Sequence, residues 1–229
     1  ETGLRIHHDR EQVLLHRLLS DAHVRPRAQA ALTRYDTRFV HAPAHHAALS
    51  ALQDRHAALA PTVRLVRRWF GAQLLLGHVG PETLDLLCAA VFLTNAHAVP
   101  ATGLHGFVRV LTLLAHWDWR EVPLLLPLEN ATRLAHQRKA ALSDGGVSAL
   151  PSERAPTFPA AQRADAEQHF RAMRARDPAY RHYTWVVATE HDTDAKAWMH
   201  AAPSAMVADG VRQLARRAAL ALELSLIHI

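Results

Sequence analysis

Apolar residues recur at helical spacing most strongly between Pro61 and Phe92. In PTVRLVRRWFGAQLLL, residues 61–76, Val63, Val66, Trp69, Phe70 and Leu74 share one broad arc at the ~100° per residue of an α-helix. Arg64, Arg67 and Arg68 fall opposite, in a narrow basic stripe. Pro61 suits a first turn, where its missing N–H is not needed. Gly80-Pro81-Glu82 opens a second helix, in which Leu84, Leu87, Cys88, Val91 and Phe92 repeat at i, i+3, i+4, i+7 and i+8. The pattern predicts a helix pair with a short connector, buried on one side and basic on part of the other.

The rest of the chain reads around that pair. Leu4 to His8 alternates as a short strand, and Asp9 to Leu19 is a helix with Val13, Leu14 and Leu18 in register. Ser20 to Thr37 is polar and irregular, broken at Pro26, and reads as a linker. Pro43 opens a helix to about Ala58, with Leu49 and Leu52 on one face. Asn95 to Thr102 is a loop, and Gly103 to His116 is a strong helix through Phe107, Val110, Leu111 and Leu114, ended by Trp117-Asp118-Trp119. Val122 to Leu128 carries two prolines and fits an edge strand or a buried crossing. Asn130 to Leu142 is weakly helical. Ser143 to Pro159 holds two Gly, three Pro and three Ser and marks a domain boundary. Beyond it come a charged helix from Ala160 to Arg176, the strand YTWVVAT from Tyr183 to Thr189, a turn from Glu190 to Lys196, and a long helix from Pro203 to Leu224. In the last, Val207, Val211, Leu214, Ala218 and Leu222 face inward. Ser225 to Ile229 continues nothing before it and reads as an appended tail on a fragment of something larger.

Composition adjusts this picture in two ways. Hydrophobic residues make up 49% of the 229, enough for a sizeable core, and the net charge is +5. All of the 26 basic residues except Lys139 and Lys196 are arginine, the better fork for phosphate, although a general bias toward Ala, Leu, His and Pro accounts for much of that. A polyanion partner fits the charge. Cys88 stands alone on an apolar helix face, so it reads as buried filler, and no disulfide or cysteine-type zinc site can form within the chain. No apolar run is long enough for a membrane span.

Candidate chemistry is sparse. His7-His8-Asp9 and His41 with His45-His46 are close in sequence, but no HExxH occurs and 18 histidines make chance pairs expected. Phosphate-loop, dinucleotide and serine-elbow motifs are missing. The single Asp-x-Asp, Asp192-Thr193-Asp194, could hold a cation, but no glycine-serine loop precedes it and it reads as a solvated turn. Two basic groups remain: Arg64, Arg67 and Arg68, and Arg212, Arg216 and Arg217 on the last helix. Each is either a phosphate-contacting stripe or simply a wet helix face. The tryptophans could stack on bases, yet Trp69, Trp117 and Trp119 adjoin apolar faces and read as core.

Longer motifs carry a resemblance. TVRLVRRWFGAQLLLGHVGPETLDLLCAAVFL (62–93) and GFVRVLTLLAHWDWREVPLLLPLEN (106–130) resemble the nucleolar RNA-associated protein (Nrap) family. The matching positions are Arg64-Leu65, Arg67-Arg68-Trp69, Val91-Phe92-Leu93, Gly106-Phe107-Val108-Arg109, Trp117-Asp118-Trp119 and the run from Pro123 to Asn130. Further on, Thr189, Asp192, Trp198 and Pro203-Ser204-Ala205 are similar to the family's last domain, and Arg10-Glu11 to the segment before these domains. The chain departs from the family at Arg67, where lysine is usual, at Trp117, where phenylalanine is usual, and in the insert at 143–159.

The resemblance implies a mainly helical α+β chain. Residues 1–38 would end a nucleotidyltransferase-like unit, residues 39–156 would form a domain like the poly(A)-polymerase/oligoadenylate-synthetase substrate domain, and residues 157–229 would form a small α+β domain. It implies a non-catalytic scaffold of the small-subunit processome, nucleolar, without cofactor or metal, contacting pre-rRNA and processome proteins but no membrane. Arg64, Arg67, Arg68, Arg212 and Arg216 are then the expected RNA contacts. Two other readings stay open: a piece of an active nucleotidyltransferase whose catalytic carboxylates lie elsewhere, and a structural module whose arginines bind no RNA.

Overall fold

The computed structural model describes residues 8–93, 99–129, 131–133, 156–199 and 202–227. The expected strand at Leu4 to His8 lies outside these residues but for His8. Most of the expected helix from Asn130 to Leu142 and of the segment from Ser143 to Pro159 also lies outside them. The chain packs as two compact units, 1–47 and 48–229.

In the first unit, α1 (Asp9–Leu18) packs on α2 (Arg25–Tyr35), and a π-helical stretch (Asp36–His41) leads into α3 (Ala42–Arg55). The His8 ring nitrogen accepts from Arg10 N–H and caps α1. The segment expected to be a linker is therefore largely helix. Pro26 lies in the first turn of α2, where it has no helical hydrogen bond to break, and Ala28, Leu32 and Tyr35 form its buried face. Val13, Leu14 and Leu18 do share one face of α1, but each is about half exposed rather than core.

The second unit is built on α4 (Leu59–Ala72), α5 (Pro81–Leu93) and α6 (Gly103–His116). The α4–α5 pair is antiparallel, so Arg67 meets Asp85 near one end and the His56 ring lies 5.5 Å from that of Phe92 near the other. The expectation of one buried side fails for α5. Every residue from Leu86 to Leu93 is buried, as suits a helix apolar all round and enclosed by α4, α6 and β1. Leu74 also leaves its expected arc. The helix ends at Ala72, and Leu74 takes a left-handed φ of 59° that points it outward, 86% exposed. Leu75 N–H reaches Phe70 O and Leu74 N–H reaches Gly71 O, the paired closing bonds of a Schellman turn.

The first turns of α4 and α6 meet with almost no space between them. Thr62 is fully buried, and its hydroxyl donates to Ala58 O at 2.8 Å and lies 3.3 Å from Gly103 O. A Cβ at Gly106 would sit 2.0 Å from Thr62 Oγ1, and one at Gly103 would sit 2.5 Å from Pro61 Cβ. The Thr102 hydroxyl caps α6 by accepting from His105 N–H.

Beyond α6, β1 (Leu124–Leu126) pairs in parallel with β2 (Val187–Thr189), Leu124 opposite Val187. Alternation along the strands sends Leu126 and Val187 into the main core and Leu125 and Ala188 against α7 (Ala160–Arg176), through Ala166, Phe170 and Met173. The YTWVVAT run is thus a strand only at its end, because Tyr183 O and Thr184 O are taken by Arg174. That half-buried guanidinium also donates to Trp119 O and to Arg120 O, and it faces the rings of Phe170 and Tyr180. A short α8 (Lys196–Met199) precedes α9 (Ala205–Ile227). The face α9 turns to the core is Ala208, Val211, Ala215 and Ala219, whose small side chains let it lie close on α6. Of the residues expected inward, Val211 is buried while Val207, Ala218 and Leu222 flank the seam. The helix runs on through Ser225 to Ile227.

Two stability effects follow. Gly106→Ala should lose about 1–3 kcal/mol in urea unfolding despite alanine's better helix propensity, and Thr62→Ala in the same chain should recover part of that loss, since the clash is with the threonine branch. Arg174→Lys should lose about 2–3 kcal/mol by the same measurement, because an ammonium cannot serve four carbonyls spread around a planar fork.

Candidate nucleic-acid interface

The five arginines singled out from sequence divide into three kinds. Arg64 and Arg68 are exposed on the outer face of α4, one turn apart, and neither has a hydrogen-bond or ion-pair partner among the described residues. Arg67 lies between them in sequence but on the flank toward α5. Its Nη2 donates to both oxygens of Asp85, at 2.7 and 2.9 Å. The two side chains are 44% and 19% exposed. Burial pushes the Asp85 carboxyl above its ordinary pKa, and the Arg67 charge and hydrogen bond pull it back.

Arg212 and Arg216 do a different job. Both reach from α9 to the carbonyl of Ala115 in the last turn of α6, Arg216 Nε at 2.9 Å and Arg212 Nε at 3.4 Å. They satisfy a helix C-terminus and favour its partial negative charge. Arg212 also lies 4.0 Å from Asp118, and Arg120 pairs with Asp209 at 2.6 Å while stacking 4.1 Å over Trp119. The last helix is thereby pinned to α6, and its arginines and those of α4 are not shown as one continuous ridge.

The tryptophans are packing groups. Trp117, Trp119 and Trp185 are buried, and Trp69 and Trp198 are half-buried against the core. Trp117 Nε1 donates to Val122 O at 2.8 Å. Cys88 is fully buried, and desolvation raises its thiol pKa strongly, away from thiolate chemistry. Among the described residues, no group of three or more His, Cys, Asp or Glu is placed to hold a metal.

Of the Asp-x-Asp turn, the first carboxylate is not solvated. Asp192 is buried, and its two oxygens accept from Lys196 N–H at 3.0 Å and Ala197 N–H at 2.9 Å, closing the first turn of α8. Asp194 is partly exposed, pairs with Lys196 and shares a hydrogen bond with the Asp192 carboxyl. Burial first, then the neighbouring Asp194, raises the Asp192 carboxyl to about 7, while Lys196 holds Asp194 below the usual range despite its own partial burial. A similar buried acceptor, Asp177, takes the backbone N–H groups of Arg181, His182 and Tyr183, which hold its carboxyl low.

Sequence reasoning passed over Asp85, Arg174 and Asp177. Asp85 left a signal: it is a lone carboxylate inside the apolar run TLDLLCAAVFL, where a charge needs a partner. Arg174 and Asp177 left none, since their partners are backbone groups of residues distant or irregular in sequence.

The raised carboxyl makes stability depend on pH. Between the unfolded value near 4 and the folded value near 7, the native state binds the proton more tightly, so stability from this group is full at low pH and falls as pH rises through 7. Urea midpoints of the parent chain should drop between pH 5 and pH 8, by at most a few kcal/mol in free energy, and Asp192→Asn should flatten that drop.

The family model described as Nrap protein PAP/OAS1-like domain 5 matches residues 56–228, and that described as Nrap protein nucleotidyltransferase domain 4 matches residues 3–54. The chain is 28% identical over 213 residues to U3 small nucleolar RNA-associated protein 22 of Schizosaccharomyces pombe, covering 93% of this chain and 17% of that protein. It is 28% identical over 226 residues to Nucleolar protein 6 of Homo sapiens, covering 98% of this chain and 17% of that protein. Nucleolar protein 6 of Xenopus laevis reaches 40% identity over 91 residues, 39% of this chain and 8% of that protein. The chain thus spans only 17% of the length of the yeast and human relatives. One family model covers most of the chain and carries across the segment 143–159, the resemblance drawn from residues 62–93 and 106–130 holds, and the chain belongs to the Nrap family.

Proposed function

We propose that this chain is a non-catalytic docking module of the small-subunit processome, acting in nucleolar ribosome biogenesis and contacting pre-rRNA phosphates through α4. In this reading residues 1–38 finish a nucleotidyltransferase-like unit, residues 39–156 supply the helical platform, and residues 157–229 brace it. The observation that carries the RNA contact is the Arg64–Arg68 pair: two exposed guanidinium groups without partners among the described residues, on a helix whose opposite face is core. Arginine without an internal partner is free to bind phosphate. Arg212 and Arg216 are assigned a supporting part, because their guanidinium groups already serve Ala115.

The non-catalytic part is supported by the use the chain makes of its Asp-x-Asp pair. The first carboxylate closes α8 and the second pairs with Lys196, so neither is spare for a metal and a nucleotide. The match of residues 3–54 to a nucleotidyltransferase domain favours the rival reading of a transferase fragment. Magnesium-dependent incorporation of labelled nucleotide by this chain would overturn ours.

Binding to a labelled single-stranded RNA, followed by anisotropy across 50–200 mM salt, tests the RNA contact. Arg64→Gln and Arg68→Gln should each lower the slope of log affinity against log salt by about 0.7, the loss of one phosphate contact. Arg216→Gln should leave that slope unchanged and lower the urea midpoint instead. Equal slopes for the parent and the α4 variants would leave α4 as an ordinary solvated face.

A further inference from the structure

Three arginines in five residues would be expected to give three phosphate contacts, yet the structure treats the middle one differently. Arg67 is turned about 100° per residue away from Arg68, toward the α4–α5 seam. There a single Nη2 bridges both Asp85 oxygens. Asp85 sits on α5, the helix most enclosed by the core, and is the more buried partner. Handing Arg67 to a phosphate would leave that carboxylate unpaired and short of water, and would bring the phosphate up against it. Arg64 and Arg68 carry no such penalty. Four residues advance about 6 Å along the axis. That separation suits neighbouring phosphates of one strand better than phosphates facing each other across the wide minor groove of an RNA duplex.

We propose that Asp85 is a latch on Arg67 that limits α4 to two contacts, made by Arg64 and Arg68 to successive phosphates of one RNA strand. This rests on the reading of α4 as an RNA-contacting helix. Asp85 thereby acts as a positioning residue, through Arg67, rather than as a contact to RNA. It subtracts one cation from the ridge and sets the electrostatic weight of the contact.

The test uses the same chain and a labelled single-stranded oligouridine across 50–200 mM salt. Asp85→Asn should release Arg67 and steepen the salt slope by about 0.7. The double variant Asp85→Asn with Arg67→Gln has the net charge of the parent and a neutral pair of hydrogen-bonding amides at the seam, so it should fold and return the parent slope. A parent-like slope in folded Asp85→Asn would overturn the latch. So would a slope in the double variant lower than the parent's by about 0.7, since Arg67 would then have been in contact all along. If Arg64→Gln and Arg68→Gln leave the slope unmoved, it is the RNA contact of α4 that fails, and the latch falls with it. Urea midpoints of each variant separate these outcomes from unfolding.

Discussion

The second unit depends on how closely α4 and α6 approach at their first turns. Gly103 and Gly106 leave no room for a methyl group against Pro61 and Thr62, and the Thr62 hydroxyl spans the contact. A residue with a side chain at position 106 would hold the helices apart. The apolar cylinder of α5 could then no longer be enclosed, and the outer face of α4 would lose its fixed direction. The position of Arg64 and Arg68 in space is therefore set by two glycines and a threonine that touch no ligand.

Several of the charged side chains serve the chain's own backbone. Arg174 gathers four carbonyls from two irregular segments, Arg212 and Arg216 close the end of α6, Asp192 closes α8, and Asp177 organises the turn after α7. Each replaces water around backbone groups that would otherwise be buried without partners. An arginine-rich, basic composition thus overstates the surface available to a polyanion. On α4 the distinction is drawn within one turn: Arg67 belongs to the fold, while Arg64 and Arg68 do not.

The strongly periodic helices could be read from sequence almost to the residue. Gly103 to His116 is such a case, with its terminating tryptophan visible in the pattern. The α4–α5 pair was legible in outline, because Pro61 and Pro81 mark their first turns, although α4 ends at Ala72, short of the apolar run to Leu76. What the pattern hid was depth. Periodicity tells which residues share a face but not what covers it, so α1 kept an exposed apolar face while α5 was buried all round. Pro26 misled because the same residue that breaks a helix interior also begins one. The strand at Tyr183 to Thr189 was too long because an arginine nine or ten residues earlier claims its first carbonyls, a competition that no local propensity records. The candidate site was legible as a stripe of three cations. Its division into one held and two free needed the carboxylate on the neighbouring helix.

The pairing of β1 with β2 joins Leu126 to Thr189 across a long stretch of chain, and α9 returns to α6 across a longer one, whereas α4 and α5 are joined by a short connector. Closing a long loop costs chain entropy before any contact rewards it. Assembly order is therefore expected to follow sequence distance, α4 and α5 docking early and the strand pair and α9 later. The face of α4 that carries Arg64 and Arg68 is then expected to be in place before the rest of the unit has closed behind it.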